Sequence, residues 1–143
     1  VRGLLIGGNR AMATNKKTIK PKPKMTDEVR FAIYARAGYR CERCLEATPT
    51  INVHHRLPRQ MGGTRNELIH APANLILLCG SGTSGCHGWV ESNRDEARKF
   101  GYLLYRIDSA VEIPFIDNNK NGWLLDNLGQ KERFDINWDF FHG

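Results

Sequence analysis

All four cysteines of this chain fall in two pairs, Cys41-x2-Cys44 and Cys79-x6-Cys86. If the pairs share one ion, segments more than thirty residues apart must meet, and the fold is built around that meeting point. Four thiolates in a reducing compartment favour a structural, tetrahedral zinc over disulfides. The first pair has the spacing of a zinc knuckle. The second is wider than the usual two-residue gap, but the intervening GSGTSG is flexible enough to fold the excess into a bulge. A structural zinc contributes about 10 to 16 kcal/mol of apparent binding free energy, comparable to the whole stability of a small domain. The alternative is four buried free thiols packing as small hydrophobes.

The rest of the chain suits one compact core with tails: 143 residues, 41% of them hydrophobic, suffice for a modest interior. No stretch resembles a membrane span, and the apolar cluster Leu4–Ile6 is too short for the core of a secretory signal. The expected location is cytoplasmic. The net charge of +6 is unevenly placed. Arg2, Arg10, Lys16, Lys17, Lys20, Lys22 and Lys24 come before the first acid, and the remaining 14 bases and 15 acids nearly cancel. Residues 1–25 read as a disordered basic arm, too poor in apolar side chains to offset the entropy of ordering. Such an arm suits polyanions, or it is a solubilising tail or an upstream extension ahead of Met12.

Ordered structure is expected from Thr26, which can cap a helix that Gly38 ends. After the first cysteine pair, TINVHH favours a strand. A long loop broken by Pro58, Gly62, Gly63 and Pro72 then leads to LILLC, a second, buried strand. CHGWVESNRDEARKFG reads as one helix stopped at Gly101. Asn121-Gly122 between two apolar runs predicts a C-terminal β-hairpin. The expected divisions are 1–25 arm, 26–107 zinc-braced domain and 108–143 hairpin extension, an α+β chain.

His54 and His55 stand side by side at the end of the first expected strand, where neighbouring side chains point to opposite faces. His87 follows Cys86 at the start of the expected helix, whose positive end disfavours imidazolium and leaves the ring free to ligate a metal. If the strands pair, these histidines converge. His70, mid-loop, and His142, near the C-terminus, read as ordinary polar residues. Arg56, Arg59 and Arg65 on the loop are either phosphate clamps or solvated charges.

VHHRLPRQMGGTRNELIHAPANLILLCGSGTSGCHGWV resembles the HNH endonuclease family, whose ββα-metal unit (His-Me finger) runs from an Asp/His-His pair through a Gly-Gly loop and a central Asn to Cys and Cys-His. His54-His55, Gly62-Gly63, Asn74 and His87 fall on that pattern, which covers about residues 41–100. NGWLLDNLG also looks like the tail of small bacteriophage HNH proteins. The resemblance implies that His54 and His87 are ligands of one catalytic divalent ion (Mg²⁺, Mn²⁺, Ni²⁺ or Zn²⁺), His55 is the general base and Asn74 orients it through a hydrogen bond. Glu91, four residues after His87, is either a further oxygen ligand or a solvated residue.

The function this implies is metal-dependent hydrolysis of DNA phosphodiester bonds with low sequence specificity, by nicking or double-strand cleavage, beside a phage terminase in genome packaging. Two other classes stand against it. One is a non-catalytic, zinc-stabilised DNA-binding module. The other is an accessory protein contacting the packaging motor through residues 108–139, which hold seven acids against three bases.

Overall fold

A computed structural model describes residues 21–59 and 66–141, the last two by their backbone only. The basic arm as far as residue 20, Gly62, Gly63, Arg65 and His142 therefore lie outside the described residues.

Helix α1 (Asp27–Ala37) begins where the Thr26 hydroxyl accepts the Val29 N–H at 3.1 Å and ends at Gly38, whose φ of 63° is left-handed. Strand β1 (Ile51–His55) pairs antiparallel with β2 (Leu75–Cys79), with Ile51 opposite Cys79 and His55 opposite Leu75. Every residue of β2 is buried because both faces of this small sheet are covered. On one face Leu75 and Leu77 pack with Ile33 of α1, together with Ile51 and Val53. On the other, Ile76 and Leu78 join the cysteines, Tyr102 and Val90 of α2 (Gly85–Ser92). Side-chain alternation along β1 sets which residue meets which layer.

Among the described residues the outer edge of β2 has no strand partner, and buried backbone groups left unpaired are costly. Glu42, inside the first cysteine turn, takes a partner's place: its N–H donates to the Leu77 carbonyl at 2.8 Å and its carboxylate accepts the Leu77 N–H at 2.9 Å. Arg36 of α1 completes the edge, donating to the Leu75 carbonyl and, through two nitrogens, to the Glu42 carboxylate at 2.7 and 3.1 Å. Both side chains are almost wholly buried.

The single helix expected up to Gly101 is two. It breaks at Asn93 (φ −133°, ψ 57°), where the side-chain amide turns back to the Trp89 carbonyl at 3.0 Å, and α3 (Arg94–Lys99) follows. Asn competes with the helix for its own backbone groups, which is the physical reason for the break.

The C-terminal region is a three-stranded antiparallel sheet, β3 (Phe115–Ile116), β4 (Gly122–Leu125) and β5 (Lys131–Phe134), followed by the short helix α4 (Trp138–Phe141). The expected pairing of the two apolar runs is present, with Phe115 opposite Trp123, but Asn121-Gly122 is not the turn. Asp117 builds it instead, accepting the N–H groups of Asn119 and Asn121 and the indole N–H of Trp123, while Lys120 supplies the positive φ of 65°. Gly122 already lies in β4, and a Cβ there would come within 2.6 Å of the Phe134 carbonyl oxygen. This sheet shares the main core, since Phe115 and Leu125 pack in the cluster that holds Cys41, Ile76 and Tyr102. Among the described residues no helix is long and apolar enough to cross a membrane.

Replacing Glu42 by Ala leaves Arg36 buried without its counter-charge. A loss of about 3 to 5 kcal/mol is expected, read as a melting temperature lowered by at least about 10 °C. A variant melting within a degree or two of the parent would show that β2 does not depend on this edge.

Candidate metal centre and active site

The two cysteine turns reach one point. Cys41, Cys44, Cys79 and Cys86 have their sulfurs all within 4.8 Å of one another, and Cys44 Sγ is 3.8 Å from Cys79 Sγ. Zn–S bonds of about 2.3 Å in a tetrahedron put sulfurs about 3.8 Å apart, so the quartet fits a structural metal such as zinc. Backbone donors face the sulfurs: Cys44 N–H to Cys41 and Cys86 N–H to Cys79. The Arg43 guanidinium donates to Cys86 Sγ at 3.3 Å. Without a cation the thiols compete. The hydrogen bond from Cys86 holds the Cys41 thiol below its usual range, and the same bond pushes Cys86 up. A bound cation relieves that competition by favouring all four thiolates.

The six-residue spacer is absorbed as expected. Ser81 and Ser84 exchange backbone hydrogen bonds at 3.1 and 3.2 Å, closing the excess into a small loop. Gly80 and Gly85 flank it at φ 85° and 62°. A Cβ on Gly80 would fall 2.1 Å from the Ser84 carbonyl oxygen.

The four described histidines line one groove of about 600 Å³, at the end of β1 beside the start of α2. His54, on the α2 face of β1, is buried, and its Nε2 donates to the Tyr102 carbonyl at 2.8 Å. Because a carbonyl only accepts, Nε2 carries the hydrogen and Nδ1 keeps its lone pair. The His87 ring lies edge-on to it with centroids 5.3 Å apart, and His87 Nδ1 is buried with no hydrogen-bond partner among the described residues. Two imidazoles bound to one ion at about 2.1 Å have centroids about 5 Å apart, a spacing close to that of this pair, and a buried ring nitrogen without a partner could be satisfied by such an ion. Burial brings the His54 pKa down to about 4, so the ring is neutral at physiological pH and fit to ligate.

Glu91 lines the groove but pairs with Arg94 at 3.2 Å on an exposed surface. Among the described residues only the cysteines form a group of three or more ligand-type side chains that close together, so Glu91 does not join the two histidines.

Other expected site residues fare differently. His55 projects to the other face of β1, as the pleat requires, and burial lowers its pKa to about 4, helped by the charges of His70 and Arg59. Asn74 does not orient His55 directly. Its amide oxygen accepts the Leu57 N–H at 2.8 Å and its amide nitrogen donates to the carbonyls of Ile69, at 2.9 Å, and Leu57, at 3.3 Å, so it cinches the two ends of the loop instead.

Arg56 is no phosphate clamp. It is fully buried, and its guanidinium donates to the carbonyls of Gly101, Ala73, Ala110 and Ile113. Of the loop arginines, Arg59 lines the groove, and Arg65 lies outside the described residues.

The groove also holds Lys24, which the sequence places only in the basic arm, and two residues that the sequence does not mark as site residues, Arg30 and His70. Lys24 and Arg30 form its wall from the start of α1 and the segment before it. His70 bonds directly to His55, with His70 Nδ1 3.0 Å from His55 Nε2. The antiparallel pairing supplies the signal for His70, since setting residue 55 opposite 75 returns the end of the loop to its beginning. Arg30 has no such signal, because only the packing of α1 against the sheet brings it there.

Comparison with family models, with curated proteins and with solved structures finds no match.

One zinc per chain is expected from metal analysis of the purified protein. Removing it with a strong chelator, or replacing Cys79 by Ser, should abolish the cooperative thermal transition. A chelated protein that keeps its circular dichroism spectrum and melting temperature would refute the structural role.

Proposed function

We propose that the chain is a metal-dependent endonuclease of the HNH type, acting on DNA with low sequence specificity. The observation carrying this reading is the convergence of His54, His55 and His87 in one groove, at the junction of a β-hairpin and a helix tied together by four cysteines. The order β1, β2, α2 is that of a ββα-metal unit. Among the described residues the groove wall adds Lys24, Arg30 and Arg59 against one acid, Glu91, a balance suited to a phosphate backbone.

His54 and His87 would hold the catalytic divalent ion. When bound, that ion neutralises charge on the scissile phosphate and on the departing oxygen. His55, neutral at physiological pH and on the other face of the same strand, takes a proton from the attacking water. Arg30 and Arg59 hold flanking phosphates and fix the register of the backbone. The small groove offers little surface for reading a long run of base edges, which favours weak specificity. Contact with a packaging motor has in its favour the acidity of residues 108–139 and the phage resemblance of NGWLLDNLG, whereas the histidine groove favours DNA cleavage.

Supercoiled plasmid incubated with Mg²⁺, Mn²⁺ or Ni²⁺ should be converted to nicked or linear forms, and EDTA should stop the conversion. His55→Ala should lose roughly 10² to 10⁴ of the rate while still binding DNA. Near-parental cleavage by that variant removes His55 from the mechanism. No cleavage with any ion favours a DNA-binding module.

Arg30→Ala should raise KM with kcat little changed and reduce the salt slope of DNA binding by about 1. An unchanged slope would mean that Arg30 meets no phosphate.

A further inference from the structure

We propose that His70 is a positioning residue that fixes the tautomer and orientation of His55, through a hydrogen-bonded chain ending on the backbone carbonyl of Pro23. The proposal deepens the endonuclease reading and rests on it for the role of His55, but the chain itself is a matter of geometry. His70 Nε2 lies 3.2 Å from the Pro23 carbonyl oxygen, and His70 Nδ1 lies 3.0 Å from His55 Nε2, with the two rings edge-on at 5.1 Å.

The direction of the chain follows from its far end. A carbonyl oxygen only accepts, so His70 Nε2 must carry a hydrogen. A neutral imidazole carries one N–H, so His70 Nδ1 is the acceptor and His55 Nε2 must be the donor. His55 is thereby locked as the Nε2–H tautomer with its lone pair on Nδ1, the state in which that atom can take a proton.

The chain also tolerates the catalytic event. When His55 gains a proton at Nδ1, its Nε2–H still faces the His70 lone pair, so no donor loses its acceptor. A second consequence concerns the segment before α1. Pro23, Lys24 and Met25 line the groove, and Pro23 sets the polarity of the chain that reaches His55.

Asn74 stabilises this arrangement at one remove by joining Leu57 to Ile69, the residues next to Arg56 and His70. The loop between β1 and β2 therefore holds the pair of rings from both ends.

The test uses the full zinc-loaded chain and two variants. His70→Asn places an amide oxygen near the position of Nδ1 and keeps an acceptor; His70→Ala removes it. Plasmid cleavage by His70→Ala should lose roughly 10- to 100-fold in kcat, by analogy with the loss when the hydrogen-bond partner of a metal-ligating histidine is removed. KM for DNA should stay within about twofold, and His70→Asn should recover most of the rate.

Nitrogen-15 NMR of the His55 ring gives a readout independent of activity. The parent should show only the Nε2–H tautomer, and His70→Ala a mixture. Cleavage by His70→Ala at the parental rate, or an Nδ1–H tautomer for His55 in the parent, would overturn the proposal. If the parent cuts no DNA, the endonuclease reading fails, and the tautomer spectra alone then decide whether His70 sets the state of His55.

Discussion

Four sulfurs within 4.8 Å of one another close this chain on itself. One pair sits in the turn after α1, the other at the end of β2 and the start of α2. That closure sets the end of the β-hairpin beside the first turn of a helix. The backbone of His87, one residue after Cys86, is placed by the cysteine cluster beside the end of β1. A small sheet with two strands on its own is marginally stable at best. Here it is held by metal-type ligands on one face and by α1 on the other.

Buried charge organises the rest. Glu42 lies between the two cysteines of the first turn and substitutes for a missing strand at the edge of β2, while Arg36 neutralises it from α1. Arg56 follows β1 directly and gathers four carbonyl oxygens from two later segments. Burial lowers its pKa to about 9, still high enough to keep it charged at neutral pH. These cations and this carboxylate are structural by geometry: each is surrounded by partners that would be left unsatisfied if it left. Lys24, Arg30 and Arg59, by contrast, are exposed and line the groove.

Much of this was legible in the residues. The cap at Thr26, the stop at Gly38, the two strands, the cysteine cluster and the separation of His54 from His55 by the pleat follow from local chemistry and period. What escaped was tertiary. Arg56 reads as a surface charge because nothing in its neighbours announces the carbonyls of residues 101–113. Asn74 reads as an orienting amide, yet it closes the loop. The helix break at Asn93 and the turn built on Asp117 each depend on a side chain competing for backbone groups, which periodicity does not register. β5, with the sequence KERF, has no apolar alternation and forms because β4 offers it an edge. His70 looked incidental, although strand register brings it back to His55.

The central claim is that a permanent sulfur-bound ion places His54 and His87 to share a second, exchangeable one. Anomalous diffraction from crystals of the zinc-loaded protein soaked in Ni²⁺ tests it directly. The account predicts a zinc peak inside the sulfur quartet and a separate nickel peak in contact with ring nitrogens of both histidines. Nickel found elsewhere, or on one of the two rings alone, would contradict it.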